Sequence, residues 1–450
     1  MSTLNNLLKT NTIRTICVNN ILNVGYGLFG GYPGSYQTIY NNVFNYKFNQ
    51  QTTLGLTGQA STLTNYTSIN NSAFDNNNKN VYICGDFTLG GSPSPTNIAY
   101  LLSGSNTWSN LGLTFTGPPP PNATAPVVNC MVIDPTNSLL YIGGIFTSVA
   151  KTNTSAANFA IIQVPVGNPP TPTDYTVVAT TSTPTCTEIN SLIIVGTTIY
   201  AGGKNGNNIF FYKYDSPTWT SLLTPQTAGS INIIYNIPNT TILVIGGQFT
   251  SIGNASNCNN IVLYNINGAT WTPLGTAVGS YGVTGVGSSL PINVTPVITD
   301  AVVYTVTSSV FAGTTNIFIG GYFKYAGNNT ILCNSLVIYN YNTPGWTVYN
   351  PTLVNTTPVP TLGTGVYYND TITTPTISID PGIVYSLTIV SSDNLNLLVG
   401  GQFYINTNKS GFGTFPTIYN LFKVTVNTSS NINYPYTYGV YYTPTYPTSF

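Results

Sequence analysis

Apolar and polar positions alternate along the chain in short runs, and no convincing amphipathic helix separates them. One unit returns seven times: an apolar run ending in a glycine pair or its near-equivalent, usually with an aromatic residue one position further on. The copies are Gly27-Leu-Phe-Gly-Gly-Tyr32, Tyr82-Ile-Cys-Gly-Asp-Phe87, Tyr141-Ile-Gly-Gly-Ile-Phe146, Tyr200-Ala-Gly-Gly-Lys204, Val244-Ile-Gly-Gly-Gln-Phe249, Phe318-Ile-Gly-Gly-Tyr-Phe323 and Leu398-Val-Gly-Gly-Gln-Phe403. Their glycines are Gly30 and Gly31, Gly85, Gly143 and Gly144, Gly202 and Gly203, Gly246 and Gly247, Gly320 and Gly321, and Gly400 and Gly401.

The flanks repeat as well. Upstream of the glycines lies an apolar strand and a turn of hairpin chemistry, as in Cys130-Met-Val-Ile-Asp-Pro-Thr-Asn137. Downstream comes an alternating strand such as Asn260-Ile-Val-Leu-Tyr264, then a turn and a tryptophan. Trp108, Trp219, Trp271 and Trp346 all occupy that one phase. Each repeat therefore reads as four short strands with a long loop between the second and third. The pattern predicts an all-β, seven-bladed β-propeller of four-stranded antiparallel blades, over a solenoid or tandem sandwiches. In this arrangement the second strand bends and passes its neighbour where a Cβ would clash, and Trp and Tyr fill the space between blades.

The predicted blades span approximately 12–56, 67–116, 127–181, 186–225, 230–276, 297–350 and 382–430, within one domain over 1–430. A Tyr/Pro-rich tail follows over 431–450, carrying Tyr434, Tyr436, Tyr438, Tyr441, Tyr442, Tyr446 and Phe450. Prolines limit the tail to an edge strand, which either closes its own ring or reaches a neighbouring subunit. Gly117-Pro-Pro-Pro-Pro-Asn122 is a stiff polyproline connection, and 275–296 and 350–381 are long insertions that decorate a rim or simply vary in length.

Composition narrows the chemistry. Hydrophobic residues make up 42% of the 450 positions and mean hydropathy is +0.13, so the chain has the material for a core, yet charged residues are only 4%. Ten cations balance ten anions, histidine is absent, and Arg14 and Glu188 are the only residues of their kinds. Triad catalysis and His-ligated metals are thereby excluded. Scattered lysines with no basic run argue against nucleic acid. No D-x-D-x-D-G calcium loop occurs. Asp134, Asp300 and Asp380 could gather near a central channel, although strand-end turn capping is the preferred reading. Cys17, Cys84, Cys130, Cys186, Cys258 and Cys333 are widely spaced, mostly in apolar strand-like contexts, and read as buried thiols. The N-x-S/T triplets at Asn65, Asn122, Asn254, Asn293 and Asn427 say little in a chain so rich in Asn, Ser and Thr.

The glycine pair, distant tyrosine and following tryptophan resemble the kelch-type repeat from about Thr12 to about Asn427, most clearly in the fifth and sixth copies. The unit is also similar to the glycine-phenylalanine variant of large cell-surface propeller proteins. The third and seventh copies lack the tryptophan. Galactose-oxidase-like enzymes share the resemblance but need histidine copper ligands, and a sialidase-like site needs an arginine cluster; this chain has neither. The resemblance implies a non-enzymatic variant without catalytic residues, cofactor or metal.

Two functions remain open. One is a structural protein of a virion, fibre or extracellular surface layer, contacting copies of itself or other structural proteins, since zero net charge removes the repulsion that keeps copies apart. The other is a glycan- or receptor-binding module whose tyrosines stack on sugars. The N-terminus shows no secretory leader and no stretch has the length of a membrane span, so membrane insertion is not expected. A virion or extracellular surface is the preferred location, with the cytoplasm as the other.

Overall fold

The computed structural model describes residues 13–19, 24–29, 43–47, 68–75, 77–78, 80–87, 97–102, 108–117, 125–150, 154–155, 157–165, 175–178, 183–224, 226–275, 281–285, 301–311, 313–327, 331–348, 382–390, 396–405 and 418–425. Every regular element among them is a β-strand. The tail, Gly30, Gly31, residues 276–280 and 286–296 of the first long insertion, the whole of the second over 350–381, the polyproline run beyond Gly117, Asp300, Asp380 and the triplets at Asn65, Asn122, Asn293 and Asn427 lie outside the described residues.

Seven antiparallel sheets follow one another along the chain. The first is Ile13–Asn19, Val24–Phe29 and Val43–Lys47. The second is Ser68–Asp75, Asn80–Asp86, Ile98–Leu101 and Trp108–Asn110. The third is Val127–Asp134, Leu139–Ile145, Phe159–Gln163 and Thr176–Val178. The fourth is Glu188–Val195, Thr198–Asn205, Asn208–Asp215 and Thr218–Ser221. The fifth is Ser230–Asn236, Ile242–Gln248, Ile261–Asn265 and Thr270–Pro273. The sixth is Val302–Phe311, Thr314–Tyr322, Leu336–Asn340 and Gly345–Val348. The seventh is Ile383–Val390, Asn396–Ile405 and Ile418–Thr425.

Within each sheet the strands are neighbours in sequence order. First strands of successive sheets adjoin one another, and Ile383–Val390 lies against Ile13–Asn19, which closes the ring. The protein is thus a β-propeller, its blades mostly four-stranded. Two differences from the four-strand repeat appear among the described residues. The first and seventh sheets have three strands, and the fourth joins its second and third strands by a tight hairpin through Gly206 rather than a long loop.

Burial explains the strand patterns. Second strands are nearly continuously buried, as in Leu139–Ile145 and Ile242–Gln248, because a blade is covered on both faces by its neighbours. First strands are only partly buried, as in Glu188–Val195, where Ile189, Ser191 and Leu192 are buried and the last three residues are half-exposed. The core is accordingly a set of layers between blades. Tyr82, Tyr100, Phe146 and Tyr175 lie in the layer between the second and third sheets, and Phe159, Ile189, Phe210 and Tyr214 between the third and fourth. Full burial of each such side chain contributes roughly 1.5–3 kcal/mol before entropy is subtracted.

Two small sheets tie blades together at the rim. Thr114–Thr116 pairs with Ser148–Ala150, which pairs with Thr154–Ser155. Val283–Thr284, Tyr325–Ala326 and Ile331–Leu332 repeat the device between the fifth and sixth blades.

Candidate functional site

The glycine pair has two separate jobs. A Cβ on the first glycine would strike the side chain of the next blade: Ile189 at 2.6 Å from Gly143, Ile231 at 2.5 Å from Gly202, Val303 at 2.5 Å from Gly246 and Val384 at 2.5 Å from Gly320. A Cβ on the second would strike backbone in its own blade: the carbonyl of Val127 at 2.1 Å from Gly144, Glu188 at 2.0 Å from Gly203, Ser230 at 2.0 Å from Gly247 and Val302 at 2.1 Å from Gly321. Gly85, Gly400 and Gly401 occupy the corresponding places opposite Ile69, Ser386 and Val384.

That close backbone approach coincides with a β-bulge. The pairing register skips one residue near the start of every first strand: Arg14, Asn70, Asn129, Asn190, Asn232, Tyr304 and Tyr385. A bulge leaves its extra residue outside the ladder and re-aims it. Because all seven first strands share one direction around the ring, the seven extra residues collect at one end of it.

Several of their side chains meet. Asn70 Nδ2 donates to Asn129 Oδ1 at 3.3 Å, and Asn129 Nδ2 faces Asn190 Oδ1 at 3.0 Å and Glu188 Oε1 at 3.3 Å. Asn190 Nδ2 donates to the Ile231 carbonyl at 3.1 Å, and Asn232 Nδ2 to that of Val303 at 3.4 Å. The rings of Tyr304 and Tyr385 stand 5.0 Å apart. Glu188 is neutralised by Lys204 Nζ at 3.0 Å. Six of the seven bulge residues thus form an arc of carboxamides and phenols, a partial collar at one mouth of the ring, and the seventh is Arg14. Asp134 sits at the other end of its strand, where its carboxylate accepts from the Thr136 and Asn137 amides at 2.9 and 3.2 Å. Burial would raise that carboxyl, but hydrogen bonds from Asn137 and Thr136 outweigh it and hold it below its usual range. Asp134 is a turn cap.

Sequence reasoning missed a second recurring contact. The residue before each looped third strand is left-handed: Asn97 (φ 54°), Asn158 (φ 62°), Asn260 (φ 69°) and Ser335 (φ 67°). Asn tolerates this conformation better than most residues. Its backbone N–H donates to the carbonyl of the phenylalanine that follows the glycines: Phe87 at 3.2 Å, Phe146 at 2.8 Å, Phe249 at 2.7 Å and Phe323 at 2.8 Å. Its side chain reaches the chain leading into the next blade, donating to Pro126 O at 2.7 Å, Cys186 O at 2.8 Å, Val283 O at 2.9 Å and Gly382 O. A signal existed, an Asn or Ser directly before each apolar third strand, but the abundance of Asn and Ser hid it.

Two of the tryptophans pack on the preceding blade. Trp219 meets Phe159 edge-on at 4.8 Å and its own Tyr214 at 5.0 Å, and Trp271 meets Phe211 at 5.6 Å and Tyr264 at 4.6 Å. Trp346 packs on Tyr339 at 4.8 Å, and Trp108 pairs in register with Leu101. The third blade, which has no tryptophan, uses Tyr175 instead: its ring lies 5.2 Å from Tyr100, and its hydroxyl is 3.2 Å from that of Tyr82. Burial pushes the Tyr82 phenol up to about 12 and raises that of Tyr175 as well.

The arrangement offers no activated nucleophile among the described residues. Cys84, Cys130, Cys186, Cys258 and Cys333 are free, and burial raises the thiols of Cys84, Cys130 and Cys333 and pushes Cys186 and Cys258 up to about 12, away from the reactive thiolate. Among the described residues no three acidic, His or Cys side chains gather as metal ligands, and no helix is long and apolar enough to cross a membrane.

No protein-family model matches the chain, and no curated protein matches it in sequence. Similar solved structures include a chain of the mitotic checkpoint complex at 14% identity, with a TM-score of 0.44 and 87% of each chain covered. The structure of U3-55K is similar at 12% identity and a TM-score of 0.48, over 87% of this chain and 89% of that one. The WD40 repeats of RRP9 give the same identity and TM-score, over 87% of this chain and 88% of theirs.

Proposed function

We propose that the protein is a non-catalytic structural subunit, a kelch-type propeller of a virion, fibre or extracellular surface layer that acts through contacts with its own copies or other structural proteins. One observation carries this reading: a chain with a layered apolar core has only 4% charged residues and no net charge. Interspersed charge and a net charge away from zero are what ordinarily keep folded domains apart in solution. The aromatic tail from Tyr434 to Phe450 supplies a segment suited to straddle such a contact.

Light scattering on the purified chain, followed by electron microscopy, tests this. The expected result is an ordered particle or filament far above 48.0 kDa that persists at high salt, because screening acts on charges and this chain has few. Removal of residues 434–450 is expected to shrink it. A 48.0 kDa monomer at every concentration overturns the self-assembly reading.

A further inference from the structure

We infer that the arc of six bulge residues from Asn70 to Tyr385, at one mouth of the ring, is a binding site for a neutral saccharide. The assembly reading is not needed for this; the inference rests on the collar's own chemistry. Each bulge is tied to the glycine motif: the residue before it, such as Ile189, Ile231, Val303 or Val384, fills the hollow above the preceding blade's first glycine. The bulge residue itself is thereby held in place by packed core on either side. A site needs such fixed polar groups on a rigid frame.

The groups so held fit a polyol. A carboxamide donates and accepts at once, which matches vicinal hydroxyls that do the same. Asn129 is held by Asn70 and spans to Asn190, so the amide plane there is oriented on both sides. The hydrogen bonds of Asn190 and Asn232 to the Ile231 and Val303 carbonyls use one amide N–H each, and each carboxamide has a second. Tyr304 and Tyr385, half-buried and tilted 47° to each other, give aromatic faces for the C–H side of a pyranose. Pairing of Glu188 with Lys204 cancels the charge beside Asn129 and Asn190, whose strands are not the immediate neighbours of the strand that carries Arg14, so this part of the collar suits a neutral ligand.

The test is calorimetric titration of the full chain with three neutral probes, N-acetylchitotetraose, cellotetraose and mannotetraose, with sialyllactose as an anionic control. At least one neutral probe is expected to bind, and sialyllactose to bind more weakly. Tyr304→Ala combined with Tyr385→Ala is expected to weaken binding at least about tenfold, as is Asn190→Leu, whereas Tyr385→Phe keeps the aromatic face and stays within about threefold. Thermal melting and light scattering of each variant separate loss of binding from loss of fold or of assembly. The inference is overturned if no neutral probe binds the intact chain, or if binding survives both Tyr304→Ala with Tyr385→Ala and Asn190→Leu. A collar whose variants only lower the melting temperature, with no saccharide bound by the parent, is a structural ring and likewise overturns it.

Discussion

The fourth and fifth blades have the same strand order and the same glycine pair, yet they are joined to their successors by different means. In the fifth, a loop separates the second and third strands, and Asn260 at its end holds Phe249 with its backbone and Val283 with its side chain. In the fourth, a tight hairpin leaves no loop and no such residue. There the backbone does the work: Ile209 N donates to Thr227 O at 2.8 Å and Gly229 N to Asn207 O at 2.9 Å, so the connecting chain is stitched to the hairpin directly. The fourth blade also holds both described ion pairs, Lys204 with Glu188 and Lys213 with Asp215. What the blades share is the close approach at the glycines; what they vary is the tether. The contact with no alternative is the one every four-stranded blade with a complete glycine pair keeps.

The largest effect is therefore expected where the two blades agree. Gly203→Ala and Gly247→Ala each force a Cβ against a backbone carbonyl that no rotamer change can move. Each is expected to cost about 3 kcal/mol or more, read as a lower midpoint in urea. A fifth blade that tolerates alanine while the fourth does not would break the common mechanism.

Smaller and unequal effects are expected at the tethers. Asn260→Ala leaves Val283 O and the Phe249 amide without their side-chain partners in a buried place and puts alanine at φ 69°. The expected cost is about 2–3 kcal/mol. Asn208→Ala in the fourth blade changes an exposed side-chain contact to Gln226 and keeps the backbone stitching, for about 0.5 kcal/mol or less. Asn260→Gly relieves the conformational strain but not the lost hydrogen bonds, so urea midpoints should rank parent, then glycine, then alanine. Equal losses at Asn208 and Asn260 would show that the tethers do not differ.

The smallest effect is acid sensitivity peculiar to the fourth blade. Hydrogen bonds from Lys213 and Thr198 hold the Asp215 carboxyl below its usual range. A group depressed in the folded state adds stability above its unfolded value, about 4, and that contribution is lost as pH falls through the folded value. Asp215→Asn is expected to flatten this part of the stability profile below about pH 4 while leaving the neutral region little changed, because the pair is well exposed. Melting temperatures of parent and variant from neutral pH to pH 3 check it, and parallel profiles would remove Asp215 as the cause.

Much of the architecture was legible in the sequence, because the glycine pair is a steric requirement that only one residue type meets. The strands and turns around Tyr141-Ile-Gly-Gly-Ile-Phe146 or Val244-Ile-Gly-Gly-Gln-Phe249 could be read from period-two patterning. The collar could not. Asn129, Asn190 and Asn232 look like any other asparagine in a chain full of them, and only the slip in register at each first strand shows that they share a position. Tyr175 escaped notice for a related reason: it takes the tryptophan's place in space, beside Tyr82 and Tyr100, without the tryptophan's identity.

The sequence by itself determined that this is an all-β repeat protein with buried glycine crossings and almost no charge, since periodicity, composition and the steric demand for a missing Cβ are properties of residues taken locally. Tertiary structure alone decided which polar residues meet. Seven bulges align at one mouth because seven similar strands run the same way around a closed ring. Contacts such as Asn129 with Asn190 or Asn158 with Cys186 join residues of different blades, and no local pattern encodes the ring geometry that brings them together.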